Sequence, residues 1–181
     1  MIHNYSKSII LIILCSSLIY STSWENLTST LNATDIFIKN NNQIIIIVSE
    51  FYPELSELLL DDCTNHLIEN GIKKDSIVIY RVSGIFEIPG TVNYASKHHS
   101  PKAVITLGVV IKGETPHFDF ISSACANSIS KLTIKKKFPI TFGVLTTNTY
   151  KQALKRAQQK GVEIADATIL SINTYQQIKS K

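Results

Sequence analysis

The chain predicts a three-layer α/β sandwich built on four parallel strands. Three observations carry this: four short apolar runs rich in Ile and Val, helical periodicity between them, and a polar, turn-forming stretch directly after each run. Strands that alternate with helices pair in parallel through right-handed crossovers, so the loops that follow the strands all leave from one end of the sheet.

The first run is Ile44–Val48, which leads into Ser49-Glu50-Phe51-Tyr52-Pro53. Leu55, Leu58, Leu59, Cys63 and Leu67 then recur at three and four positions, and Gly71 stops that stripe. The second run, Ile77–Val82, leads into Ser83-Gly84-Ile85-Phe86-Glu87-Ile88-Pro89. The third, Ala103–Ile111, passes into Gly113-Glu114-Thr115-Pro116-His117-Phe118-Asp119-Phe120, a change from core-building residues to chemistry within a few positions. Phe118, Ile121, Ala124 or Cys125, Ile129 and Leu132 give the next helical stripe. The fourth run, Ile140–Leu145, ends in Thr146-Thr147-Asn148-Thr149, where Asn148 or Thr147 is the expected helix N-cap. Proline follows three of the four strands closely, which fits the first turn of a helix, where the missing N–H costs nothing. One end of the sheet therefore collects Phe51, Phe86, Glu87, His117 and the turn around Thr147. In an open α/β sheet that is the end at which ligands bind.

At 181 residues the chain is long enough for one good core. Eighteen Lys and Arg stand against 14 Asp and Glu, and residues 1–42 are balanced, with Lys7 and Lys39 against Glu25 and Asp35, so the excess of +4 lies on the remainder. The densest basic cluster, Lys131, Lys135, Lys136 and Lys137, reads as a solvated helix end. No reader motif or aromatic-interleaved basic stripe accompanies it, which argues against nucleic-acid binding. A glycine-rich GxGxxG loop does not follow the first strand and there is no nucleophile elbow, so dinucleotide-binding and hydrolase readings fall away. Cys15, Cys63 and Cys125 have no metal-ligand spacing, and the latter two read as reduced packing residues on helix faces. His98 and His99 read as solvated at a helix end, and His66 lies mid-helix without an identifiable partner.

Residues 1–42 read as a leader and residues 43–181 as the domain. His3 and Lys7 precede the apolar run Ile9–Leu14, which continues with interruptions to Tyr20 and meets Ser21-Thr22-Ser23, so residues 1–23 are signal-like and too short for a comfortable membrane span. Residues 24–42 are rich in Ser, Thr and Asn and lack a helical stripe. The whole resembles two-part leaders that carry proteins through the secretory route into a plastid or apicoplast-like organelle. The alternatives are a plain secretory signal with a linker, or an upstream start codon with a cytoplasmic product. Asn26-Leu27-Thr28 and Asn32-Ala33-Thr34 match the N-glycosylation pattern, which an Asn- and Thr-rich tract often produces.

Three motifs together carry a family resemblance. Gly84-x-Phe86-Glu87-Ile88-Pro89, then Gly108-x-Val110-Ile111-Lys112-Gly113-Glu114-Thr115-Pro116-His117-Phe118-Asp119, then Phe142-Gly143-Val144-Leu145-Thr146-Thr147 resemble lumazine synthase, the penultimate enzyme of riboflavin biosynthesis. The resemblance runs from about Gln43 to the C-terminus. It implies a flavodoxin-like core that assembles as a homopentamer with active sites between subunits. It also implies a transferase that condenses 5-amino-6-(D-ribitylamino)uracil with 3,4-dihydroxy-2-butanone 4-phosphate, through an imine, loss of phosphate and ring closure. Such chemistry needs a flat slot for a pyrimidine, a phosphate pocket and a proton shuttle, and no metal or redox cofactor.

His117 is the candidate acid and base, since imidazole titrates near neutrality and both takes and gives a proton. Outside this motif a His in the first turn of a helix is more often a surface or capping residue. The resemblance gives Phe51 the role of stacking platform for the uracil ring; a core aromatic beneath the following helix is the plainer alternative. Ile85, Phe86, Val110, Ile111 and Lys112 belong to the substrate-binding stretches, and Glu87 accepts hydrogen bonds from ribityl hydroxyls. Glu114 and Thr115 stand at a helix start whose free N–H groups favour phosphate. The resemblance assigns phosphate also to Arg156 and Lys160, and gives Phe142 to the substrate of the neighbouring subunit.

The chain departs from the family in three places. Where the family usually reads Arg-Ala-Gly-x-Lys-x-Gly-Asn-Lys-Gly, this chain reads Arg156-Ala157-Gln158-Gln159-Lys160-Gly161-Val162-Glu163, about four residues shorter. A shortened loop before the C-terminal helix is therefore expected, with at best one lysine contact to phosphate and free pentamers in place of closed icosahedral shells. Ile85 replaces a small residue and is expected to narrow the slot. Tyr52 replaces the Asn that usually follows the stacking Phe. A second reading follows from these departures: a descendant that keeps the assembly and a pteridine-like or flavin ligand site but has lost turnover.

Overall fold

The computed structural model describes residues 43–181; the expected leader, the two matches to the N-glycosylation pattern and Cys15 lie outside the described residues. Eight main elements alternate in the expected order. They are β1 (Ile44–Ser49), α1 (Pro53–Glu69), β2 (Ile77–Val82), α2 (Ile88–His98), β3 (Ala103–Ile111), α3 (His117–Lys135), β4 (Ile140–Thr147) and α4 (Tyr150–Ser180). All strands pair in parallel in the order β2-β1-β3-β4, with Ile44 opposite both Ile77 and Ala103, and Val104 opposite Ile140. This is the α/β fold of flavodoxin-like type that the sequence predicts.

The sheet is buried where its strands read as unbroken apolar runs. All six residues of β1 and eight of the nine in β3 are buried, because these central strands are covered on both faces. One face packs Ile44, Ile46, Val48, Ile105 and Leu107 against α1 and α4, and the other packs Ile45, Ile47, Val104 and Val144 against α2 and α3. Helix α1 ends as Gly71 predicts. Gly71 takes a φ of +86°, its N–H donates to Ile68 O and that of Ile72 donates to Leu67 O, the Schellman pattern that satisfies the last carbonyls.

Three sequence expectations are corrected. The N-cap of α4 is Thr149, not Asn148 or Thr147. The Thr149 hydroxyl accepts from Gln152 N–H at 3.3 Å, and Gln152 Oε1 accepts from the N–H groups of Thr149 and Asn148 at 3.2 and 3.0 Å, a capping box that no earlier cap position completes. His66 has a partner: its Nε2 lies 2.7 Å from Asp166 Oδ1 on α4, one hundred residues away in sequence. Finally, the shortened loop is no loop. Residues 150–180 form one continuous helix of 31 residues, about 46 Å long at 1.5 Å per residue. Gln158, Gln159 and Lys160 are good helix formers, and Gly161, the weak one, is held by packing. A Cβ at Gly161 would lie 2.5 Å from Asp62 Cβ and 2.7 Å from Leu59 O, so its bare Cα is what lets α4 rest directly on α1.

Candidate active site

In the strand order β2-β1-β3-β4 the chain leaves β1 toward one side and later returns on the other, so the loops after β1 and β3 diverge. That divergence opens a crevice at the carboxyl end of the sheet. A cleft of about 630 Å³ lies there, within the size range of small-molecule sites. It is lined by Phe51 from the loop after β1, by Ile85, Phe86 and Glu87 from the stretch between β2 and α2, and by Thr115 and His117 at the start of α3. Val110 and Ile111, at the end of β3, form its floor.

The two aromatic rims are solvent-facing: Phe51 is 69% exposed and Phe86 63%. Phe51 is therefore not a core aromatic beneath α1; its ring meets Tyr52 edge-on at 5.1 Å and leaves a face free. Exposed aromatic side chains on the rim of a concave apolar surface mark a candidate ligand-binding groove. His117 is the first residue of α3, and the leading N–H groups of a helix have no intrahelical partner. The Glu87 carboxylate folds back over Gly84, where an added Cβ would stand 2.9 Å from Glu87 Oε2. Among the described residues it forms no hydrogen bond or ion pair, so its oxygens are open to a ligand.

Ile85 lines the cleft from an almost fully buried position. It is 3% exposed and packs with Ile45, Ile47, Ile88 and Val92. Its Cγ2 occupies the space above Gly108, 2.8 Å from where a Cβ would stand, so its bulk fills the core beneath the slot. Lys112 and Glu114 are exposed on the same β3–α3 connection but do not line the cleft. Arg156 lines a second hollow of about 400 Å³ with Thr146, Thr147, Asn148 and Gln152, and Phe118 is shared between the two hollows. Lys160 lines neither; it is paired with Glu163 one turn on. Phe142 stands 43% exposed on β4, the edge strand, away from the cleft of its own chain.

The sequence model of one family, described as 6,7-dimethyl-8-ribityllumazine synthase, matches residues 41–176. The chain belongs to the lumazine synthase family. Curated relatives agree across nearly their whole length. A 6,7-dimethyl-8-ribityllumazine synthase of Nautilia profundicola is 34% identical over 145 residues, 78% of this chain and 94% of the relative. Those of Leuconostoc mesenteroides and Pediococcus pentosaceus are 36% and 37% identical, covering 94% and 90% of the relatives and 78% and 75% of this chain.

Beyond the site residues named from the sequence, the structure adds Tyr52, Gly84 and Phe118 to the cleft, and Gln152 to the hollow of Arg156. Gln152 was legible: Thr149-x-x-Gln152 has the spacing of a capping box. Tyr52 carries no signal of its own, since aromatics at element starts are common in cores.

The two cysteines of the described residues play no part in the site. Cys63 and Cys125 are both buried and free. Burial, with the charge of Asp62 adding to it, pushes the Cys63 thiol up to about 12, and burial alone pushes Cys125 up to about 11. Neither forms a thiolate nucleophile near neutral pH.

Proposed function

We propose that this chain is a 6,7-dimethyl-8-ribityllumazine synthase, which joins 5-amino-6-(D-ribitylamino)uracil to 3,4-dihydroxy-2-butanone 4-phosphate. The observation that carries the proposal is the cleft at the carboxyl end of the sheet, where an open aromatic face, an unpaired carboxylate and an imidazole converge. In this reading Phe51 stacks on the pyrimidine. Backbone groups around Ile85, Phe86, Val110 and Ile111 read its polar edge, and Glu87 accepts hydrogen bonds from the ribityl hydroxyls. The N–H groups around Glu114 and Thr115, with Arg156, hold the phosphate through charge-assisted hydrogen bonds.

His117 then moves protons. It takes one from the attacking amine as the imine forms and returns one to the departing hydroxyl, and the same imidazole serves the later elimination of phosphate and ring closure. Lys112 adds positive charge beside the phosphate. A homopentamer completes the site, with Phe142 of each subunit covering the cleft of its neighbour; its exposure on an edge strand supports this. A continuous α4 in place of a kinked loop supports free pentamers over closed shells.

The second reading, a ligand-binding descendant without turnover, is favoured by one observation: Lys160 lines neither hollow and is paired with Glu163. Supplying both substrates to the purified protein and following the fluorescence of the lumazine product separates the two. Residues 1–42 are proposed as a leader that directs residues 43–181 to an organelle by the secretory route. The family match starting at residue 41 supports that boundary. Fusing residues 1–42 to a fluorescent reporter tests it, and a diffuse cytosolic signal would remove the claim.

A further inference from the structure

We propose that Arg81 is a positioning residue for Phe51, acting by bridging the two carboxylates that flank the Phe51 turn; this rests on the reading of Phe51 as the pyrimidine platform. Only Glu50, Phe51 and Tyr52 connect β1 to α1. Phe51 itself is mostly exposed, so packing does little to fix it. Its own N–H makes a long hydrogen bond of 3.4 Å to Ser49 Oγ. What holds the turn lies on either side of it. Before Phe51, the Glu50 N–H donates to Val82 O at 2.8 Å; after it, the buried Ser56 hydroxyl donates back to Ser49 O at 2.6 Å.

Arg81 adds the side-chain tie. It lies on β2, the edge strand, and its Nη1 donates to Glu50 Oε1 at 3.2 Å and also to Glu57 Oε1, in the second turn of α1. One guanidinium thus joins the strand side and the helix side of a three-residue connection. Removing it frees both carboxylates, which then repel each other across the turn that carries Phe51. All three side chains are 42–47% exposed, so the network contributes little to global stability. Its effect is instead local, on how often the ring stands where a pyrimidine can stack. Preorganisation of this kind changes binding without changing the chemical step.

The test uses the full chain with Arg81→Met, which keeps the apolar stem, and Arg81→Lys, which keeps the charge. Hydrogen exchange read on peptides covering residues 49–57 needs no turnover. We expect Arg81→Met to speed exchange there about 1.5-fold to fivefold, the range given by loss of an exposed ion pair, with α3 unchanged and Arg81→Lys intermediate. In the activity assay, KM for the pyrimidine substrate rises by a similar factor while kcat and KM for the phosphate substrate hold. In a Phe51→Ala background the same Arg81→Met change has no further effect, because its route to substrate is already gone. Unchanged exchange at residues 49–57, or an Arg81→Met effect that persists in full without Phe51, overturns the proposal. A wild-type protein that forms no lumazine while Arg81→Met still loosens residues 49–57 defeats the catalytic reading and leaves the tie intact.

Discussion

Replacing Gly161 by Ala sets two effects of known sign against each other. In an ordinary helix interior, Gly→Ala stabilises by about 1 kcal/mol, since the chain loses less backbone freedom on folding. At Gly161 the new methyl would stand 2.5 Å from Asp62 Cβ, 2.7 Å from Leu59 O and 2.8 Å from Cys63 N. Two of those atoms are backbone of α1 and cannot rotate away, so α1 and α4 must separate along their contact. Overpacking of this kind costs about 1–3 kcal/mol, with backbone contacts toward the upper end. The net expectation is a loss of about 1–2 kcal/mol, or a fall in Tm of about 2–8 °C for a domain of this size. Gly90 in α2 is the control, because an added Cβ there meets nothing within 4 Å, and Gly90→Ala should raise Tm. Both variants are melted by circular dichroism at one protein concentration, since an oligomer's Tm depends on it. If Gly161→Ala melts at or above wild type, α4 does not lie on α1 as one unbroken helix, and the argument about assembly falls with it.

Four further outcomes are expected. His117→Ala lowers kcat by about 10² to 10⁴ with an unchanged circular dichroism spectrum; activity within a few-fold of wild type would make His117 a helix-start residue only. Arg156→Ala chiefly raises KM for the phosphate substrate, and equal weakening of both substrates would point to a structural role instead. Cys63 and Cys125 resist alkylation at pH 8 in the native protein and react in urea, as read by peptide mass mapping. Because their thiols titrate at about 12 and about 11 when folded against 9.0 ordinarily, the unfolded chain deprotonates first, so their contribution to stability is full below pH 9 and declines as pH rises toward 11–12. Light scattering on the purified protein gives a particle of pentamer mass; hollow shells would show that a continuous α4 still meets shell geometry, and monomers would remove the shared site.

Most of the fold was legible because its signals are local. Unbroken apolar runs mark β1 and β3 as central strands, the stripe from Leu55 to Leu67 marks α1, and Gly71 marks where it stops. The convergence of Phe51, Glu87 and His117 followed from topology alone, since parallel strands put their following loops at one end. What sequence reasoning missed depends on contacts distant in the chain. The pairing of His66 with Asp166, and the seat of Gly161 on α1, both need α4 to lie along α1, and a family-based expectation of a loop at residues 156–163 hid that. The seat of Ile85 was hidden for a related reason: residue size was visible, but the space over Gly108 that receives it was not. Arg81 was passed over because a charged residue on an edge strand is ordinary. Its meaning comes only from Glu50 and Glu57 on either side of Phe51.

The central claim is tested most directly by mixing the purified protein with both substrates and following lumazine fluorescence and inorganic phosphate together. The account predicts that product and phosphate rise in equal amounts, that both require the uracil and the butanone phosphate, and that both collapse in His117→Ala. A protein that binds the pyrimidine but yields neither above the rate of the mixture without protein would contradict it.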